Sequence, residues 1–267
     1  MTDYATTSSG DRVSYELRGT GPAVVFVSGA GPWRAIDPIT DPTAELAAAQ
    51  GITTVVYDRL GRGESPVEGC IDLTRELAAI AALIDVAGGS AVLCGHSSGC
   101  SISLAAAVRG LAVDGLVLWE APLLPPHSGT REWADEVDRR IEAGDFEGAQ
   151  LHYMKDMPPE FLEGARQSPF WPTMLAQVGS LRPDGESLAW AESAPHPELF
   201  GHLRMPVLAV VGEQTFPEMV PAAESIASAI PGATWKHVPG ADHAWDPEPM
   251  AAELVRFVKQ AAAMRTA

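Results

Sequence analysis

An apolar run at residues 91–94 leads without a break into Gly95-His96-Ser97-Ser98-Gly99, and a helix of small residues leads out from about Ser98. Few segments restrict a fold as tightly. A strand that passes straight into a helix through a glycine-flanked serine needs a sharp, strained turn, and a side chain at either glycine would clash with its neighbours. Such a turn lifts the Ser97 hydroxyl above the sheet edge, at a helix N-terminus where the dipole favours developing negative charge. Short Gly/Ser patterns also arise by chance and can merely cap a helix. The strand before and the helix after raise this one above that reading. Ser98 is the other serine of the turn, but it lacks the flanking glycine spacing.

The chain around this turn alternates short apolar runs with helices. Residues 4–8 and 12–18 flank Ser9-Gly10-Asp11 and read as an antiparallel hairpin. Residues 23–27, 52–57, 91–94 and 115–119 read as strands, with helices at 44–50, 72–86 and 98–109. This order predicts an α/β fold: a mostly parallel twisted sheet with helices on both faces and right-handed crossovers. Ligands of such sheets bind beyond the carboxyl ends of the strands, which directs attention to Ser28, Gly95 and Glu120. Between residues 122 and 202 no buried strand is evident, and helices are expected around 131–143, 146–155, 169–178 and 186–192. The alternation resumes with strands at 207–211 and 234–238 and helices at 221–230 and 249–263. The expected organisation is a core of residues 1–121 and 203–267 with a helical cap, 122–202, inserted into it. Ordinary surface helices are the alternative for that stretch.

The 267 residues are 46% hydrophobic and 20% charged, enough to bury a core without disulfide or metal staples. The net charge of −17, from 35 acidic and 18 basic residues, repels nucleic acid and anionic membranes, so neither is an expected partner. A small-molecule substrate is, and a homodimer is left open. Cys70, Cys94 and Cys100 are odd in number and form no C-x-x-C pair, which fits a reducing compartment. Residues 1–10 are polar, and no apolar run is long enough to span a bilayer. A cytoplasmic location is the expectation. With no zinc-type spacing, Walker loop or dinucleotide fingerprint in the sequence, no cofactor and no metal are expected.

A serine hydroxyl needs a base to become a nucleophile. Of the seven histidines, His243 lies in Pro239-Gly240-Ala241-Asp242-His243, past the strand at 234–238 and before the last helix. His237 falls within that strand, His96 within the turn, and His127, His152, His196 and His202 in or beside the insertion. His243 is therefore the expected base. An oxyanion needs backbone N–H donors. Ser98 follows the nucleophile, and Ser28-Gly29-Ala30-Gly31 has glycines that let the backbone turn inward. Ala30 N–H and Ser98 N–H are the expected pair, the plainer alternative being that Gly29 and Gly31 are simply turn glycines. The segment 57–65 reads as support for the floor of the site.

The loop at 28–31, the pattern Tyr57-Asp58-Arg59-x-Gly61-x-Gly63-x-Ser65, the turn at Ser97 and His243 together make almost the whole chain similar to the α/β-hydrolase superfamily. Members usually carry His-Gly where this chain has Ser28-Gly29, a departure that touches the oxyanion loop. The resemblance implies a triad in the order serine, acid, histidine. The acid is usual in the loop after the strand that follows the cap, but that loop reads Gly212-Glu213-Gln214-Thr215, with Thr215 where aspartate is expected. The other location is the end of the strand after the nucleophile helix, where Glu120 stands. A carboxylate there faces the ligand edge and could hold His243 Nδ1–H. Glu120 is thus the expected acid, with Asp242 and Glu213 as rivals. The arrangement resembles a bacterial subgroup of serine hydrolases and, in its triad, the zearalenone-type lactonases. Haloalkane dehalogenases also include members with the acid after this strand, but their nucleophile is aspartate.

What the resemblance implies is hydrolysis of an ester or lactone through an acyl-enzyme. Carbon–carbon bond hydrolysis, perhydrolysis and acyl transfer share the triad, and a ligand receptor can retain it without turnover. The insertion is rich in Trp133, Tyr153, Met154, Met157, Phe161, Phe170, Trp171, Met174 and Trp190. Most should pack the insertion onto the core, yet a cap must also line a pocket. Trp171 and Met174 could share an inward face, and with Trp33 and Met154 they are the expected pocket residues. Basic residues are sparse there, so a neutral, apolar substrate of moderate size is expected.

Overall fold

In the computed structural model, which describes residues 2–266, the alternation resolves into a nine-stranded sheet among the described residues. The outermost residue at each end of the expected core lies outside them. β1 (Asp3–Thr6) and β2 (Arg12–Arg18) form the edge hairpin. There follow β3 (Ala23–Val27), α1 (Thr40–Ala48), β4 (Thr53–Tyr57), α2 (Leu73–Val86), β5 (Ala91–His96), α3 (Ser98–Val108) and β6 (Val113–Trp119). After an insertion come β7 (Val207–Gln214), α10 (Met219–Ala229), β8 (Thr234–Ala241), β9 (Ala244–Trp245) and α11 (Pro247–Thr266). The strand order is β1-β2-β4-β3-β5-β6-β7-β8-β9, and β3 to β8 are mutually parallel. The expected α/β architecture is the one observed.

Strand residues alternate between two cores. Val25, Val27, Leu116 and Leu118 join Ile80 and Leu83 of α2 and Leu104 of α3 on one face. Val24, Phe26, Val117 and Trp119 join Ala44 and Ala47 of α1 and Leu254 and Val258 of α11 on the other. Because side chains alternate along a strand and both faces are covered, the strands read as continuous apolar runs. β4 follows β3 on one side, and β5 then pairs with β3 on the other. That reversal opens a crevice beyond the carboxyl ends of β3 and β5.

Between β6 and β7 the described residues form α4 (Thr130–Glu142), α5 (Phe146–Tyr153), α6 (Pro159–Gln167), α7 (Trp171–Ala176), α8 (Arg182–Ala191) and α9 (His196–Phe200). α8 is the anchor, with Pro183, Asp184, Ser187, Leu188 and Ala189 buried, and its Ser187 hydroxyl lies 2.7 Å from that of Ser101 on α3. Val137, Ala149, Tyr153, Met154, Val178 and Leu181 form a separate small core for α4 and α5. α6 and α7 bury no residue and lie outermost.

Several boundaries differ from the sequence expectation. α1 starts at Thr40 because the Asp37 carboxylate accepts the N–H groups of Ile39 and Thr40, each at 3.0 Å, and so starts the helix before the alanine run. α6 escaped notice because it buries nothing and so has no core-facing pattern. The helix expected at 169–178 is instead the short α7 followed by a 3₁₀ turn, Val178–Leu181. No helix among the described residues is long and apolar enough to cross a membrane.

Candidate active site

The backbone at Ser97 has φ 54° and ψ −128°, a conformation costing about 1–3 kcal/mol for a non-glycine residue. The close approach of β5 and α3 enforces it. A Cβ on Gly95 would lie 2.7 Å from Cys100 Cα, and one on Gly99 only 2.1 Å from the Val27 carbonyl oxygen. Both glycines are therefore required by space, and the serine hydroxyl projects from the tip between them. Ser97 N–H donates to the Trp119 carbonyl at 2.9 Å, tying the tip to β6.

That strand also delivers the carboxylate. His96 of β5 pairs with Trp119 of β6, so Ser97 and Glu120 leave the sheet side by side. Glu120 is itself at φ 45° and is 1% exposed. Its Oε1 accepts the Gly212 N–H at 2.9 Å, and its Oε2 accepts His243 Nδ1–H at 2.5 Å. Burial alone would raise its pKa. Hydrogen bonds from His243 and the Gly212 N–H outweigh that and hold the carboxyl below its ordinary value. Glu213 points to solvent at the end of β7, and the ring of His243 is held by Glu120, not by Glu213 or Asp242.

His243 enters from a tight turn just past the expected end of the strand at 238. β8 continues to Ala241 and pairs back onto Ala244 of β9, leaving Asp242 (φ 52°) and His243 (φ 67°) as the central residues. Positive φ at both positions is the geometry of a two-residue type I′ hairpin turn. The His243 carbonyl accepts His96 Nε2–H at 2.8 Å and Trp119 Nε1–H at 3.2 Å. Burial, then the neighbouring His243, push the pKa of His96 down to about 4, so near neutrality it is an uncharged donor. Among the described residues, the non-glycine positions at positive φ are Ser97, Glu120, His243, Asp242 and His127. Backbone strain of this kind concentrates at functional sites, and four of these five converge here.

The loop after β3 touches Ser97: a Cβ on Gly29 would lie 2.8 Å from Ser97 Cβ. Ala30 follows in that loop, and Ser98 opens the first turn of α3, where helix N–H groups have no helical partner. Beneath the loop, Asp58 accepts the N–H groups of Arg34 and Glu64 and the Ser14 hydroxyl. Arg59 and Arg62 reach the loop's carbonyls.

Ser97 and His243 open into a cavity of about 350 Å³. The core side supplies Phe216 and Met219, and the insertion supplies Leu123, Leu124, Trp133, Tyr153, Met157 and Phe161. Asp156, Glu192, Glu218 and Lys155 complete the charged lining, and Lys155 is paired with Asp156. The four expected pocket residues lie elsewhere. Met154 is buried in the insertion's own small core. Trp33 packs edge-on against Phe170, with ring centres 5.7 Å apart. Met174 approaches Gly31, and Trp171, half-buried, begins α7 beside them. The face that was to look into the cavity covers the outside of the loop after β3. Leu123, Leu124 and Phe216 were missed, although residues just past the ends of β6 and β7 must border the crevice.

The profile of the alpha/beta hydrolase family matches residues 24–257. An alpha/beta hydrolase from Sphaerobacter thermophilus is 30% identical, with a TM-score of 0.80 over 96% of this chain and 99% of its own. A thermophilic esterase from Thermogutta terrifontis, solved with malate bound, is 23% identical with a TM-score of 0.60, covering 100% of this chain and 97% of its own. The esterase RhEst1 from Rhodococcus sp. is 21% identical with a TM-score of 0.62, covering 97% and 98%. No curated protein sequence matches the chain.

Proposed function

The chain belongs to the alpha/beta hydrolase family, and from that premise we propose that it is a serine hydrolase cleaving a carboxylic ester or lactone of a neutral, apolar small molecule. The observation that carries the reading is the 2.5 Å hydrogen bond from His243 Nδ1–H to the buried Glu120, at the mouth of the cavity that holds Ser97. With Nδ1 protonated, Nε2 is left as the base. It takes the proton as Ser97 Oγ attacks the carbonyl carbon, while Glu120 steadies the ring and stabilises the imidazolium. Ala30 N–H and Ser98 N–H donate to the oxyanion. His243 then protonates the leaving alcohol, and water activated by the same ring clears the acyl-enzyme.

Residues 122–202 act as the cap that closes the cavity. Its apolar wall favours uncharged acyl groups, and three carboxylates against one paired ammonium disfavour anions. The names of the Thermogutta and Rhodococcus proteins as esterases support the ester class. The test is a panel of aliphatic esters, aromatic esters and lactones with wild type and Ser97→Ala. Turnover that disappears in Ser97→Ala is expected, and turnover that survives the substitution would overturn the reading.

A further inference from the structure

We propose that Asp184, on the inserted helix α8, is a positioning residue that aims both oxyanion donors, so that docking of the insertion and competence of the reaction centre are one event. This rests on the serine-hydrolase reading above. Asp184 is fully buried, and Arg59 and Arg62 are each 1% exposed. Asp184 Oδ1 accepts Arg59 Nη1–H and the Ser98 hydroxyl, both at 2.7 Å, and Oδ2 accepts Arg62 Nη2–H at 3.0 Å. One carboxylate thus holds two guanidinium groups and the side chain of the residue that carries one donor.

The guanidinium groups pass the constraint on. Arg62 Nη1 donates to the Gly29 carbonyl at 2.6 Å, and Arg59 Nη1 donates to the same oxygen at 3.3 Å and to the Ser28 oxygen at 3.2 Å. Across a trans peptide the C=O and the following N–H point in opposite directions, and no described peptide bond is cis. Pulling the Gly29 oxygen into the guanidinium pair therefore turns Ala30 N–H the other way, out of the network and toward the side on which Gly29 meets Ser97. Two charged donors on that carbonyl also polarise the peptide and strengthen its N–H as a donor.

A purely structural account fits less well. Burying these charges carries a large desolvation cost, and apolar replacements of similar volume often match or exceed the stability of buried ion pairs. An apolar cluster could glue α8 to the core. It could not fix the direction of a peptide dipole.

The test uses the intact protein and a fluorophosphonate probe, whose attack by Ser97 directs a phosphoryl oxygen at the two donors and needs no known substrate. Asp184→Asn keeps the volume and removes the charge. Arg62→Lys keeps the charge and removes the fork that spans Gly29 and Asp184. Glu186→Ala breaks a different contact between insertion and core, the hydrogen bond that the Glu186 carboxylate accepts from Leu73 N–H, and serves as the control. In folded protein, verified by circular dichroism, labelling should slow by on the order of 10²-fold in Asp184→Asn and Arg62→Lys. Reversible binding of a dialkyl ether that carries the probe's alkyl chain should be unchanged, and Glu186→Ala should label near the wild-type rate. If Asp184→Asn fails to fold, Arg62→Lys decides. Wild-type labelling rates in the folded variants, an equal loss in Glu186→Ala, or a parallel loss of reversible binding would each overturn the inference and leave the serine-hydrolase reading standing. Absence of label on wild-type Ser97 would overturn both.

Discussion

Glu120 Oε2 and His243 Nδ1 lie 2.5 Å apart across 123 residues of sequence. Both backbones are at positive φ where they present these side chains. One leaves the end of β6, the other the tip of the β8–β9 hairpin, and the parallel order of β6, β7 and β8 sets the span between them. Loss of the orienting acid in a comparable triad lowers kcat by on the order of 10⁴, and Glu120→Gln should do the same here with little change in KM. Glu213→Gln, at an exposed position, and Thr215→Ala should both be mild. Steady-state kinetics on the best ester decides. A crippled Asp242→Asn beside an active Glu120→Gln would contradict the assignment.

A second prediction concerns His96, whose Nε2–H holds the carbonyl of the strained His243. His96→Phe should lower kcat by about five- to tenfold, the effect of losing one hydrogen bond. It should also change the acid limb of stability. The folded value of about 4 lies below the ordinary 6.5, so the unfolded chain takes up a proton that the native site refuses. The contribution is complete above pH 6.5 and is lost as pH falls toward 4. Melting temperatures measured across that window should fall more steeply for wild type than for His96→Phe. Parallel curves would show that His96 does not titrate as described.

Much of this was legible in the sequence because it rests on short-range necessity. The two glycines around His96-Ser97-Ser98 and the strand before them dictate the elbow, and the buried runs dictate the parallel sheet. Glu120 was legible only by pairing a strand end with the absence of an acid at Thr215. The hairpin at Asp242-His243 was not, since neither residue is glycine and β9 has only two residues. The cavity wall was least legible. Which aromatic residues of the insertion face inward depends on helix starts at Pro159 and Trp171 and on how α8 docks, neither of which leaves a periodic trace. Asp184 gave no signal at all, because its partners Arg59 and Arg62 are distant in sequence.

The cavity itself yields a third prediction. Phe161 of α6 meets Phe216, with ring centres 5.6 Å apart, and Phe216 lies 5.9 Å from the His243 ring. Phe161→Ala should enlarge the site at its outer wall and shift the preferred acyl chain to a longer one, raising kcat/KM for long esters relative to short. Each additional buried methylene is worth about 0.8 kcal/mol, roughly fourfold in kcat/KM. Anionic esters and acyl-CoA thioesters should be poor substrates because of Asp156, Glu192 and Glu218. Profiles of chain length and charge check both, and a clear preference for an anionic substrate would refute the pocket assignment.

The most direct measurement is acid-quenched mass spectrometry of the enzyme during turnover of an activated ester. The acyl group should appear on the peptide containing Ser97, with fragmentation placing it on Ser97, and Glu120→Gln should form the same adduct more slowly. Ser97→Ala should carry no acyl group and show no turnover. An acyl group on Ser98, or steady turnover by Ser97→Ala, would contradict the account at its centre.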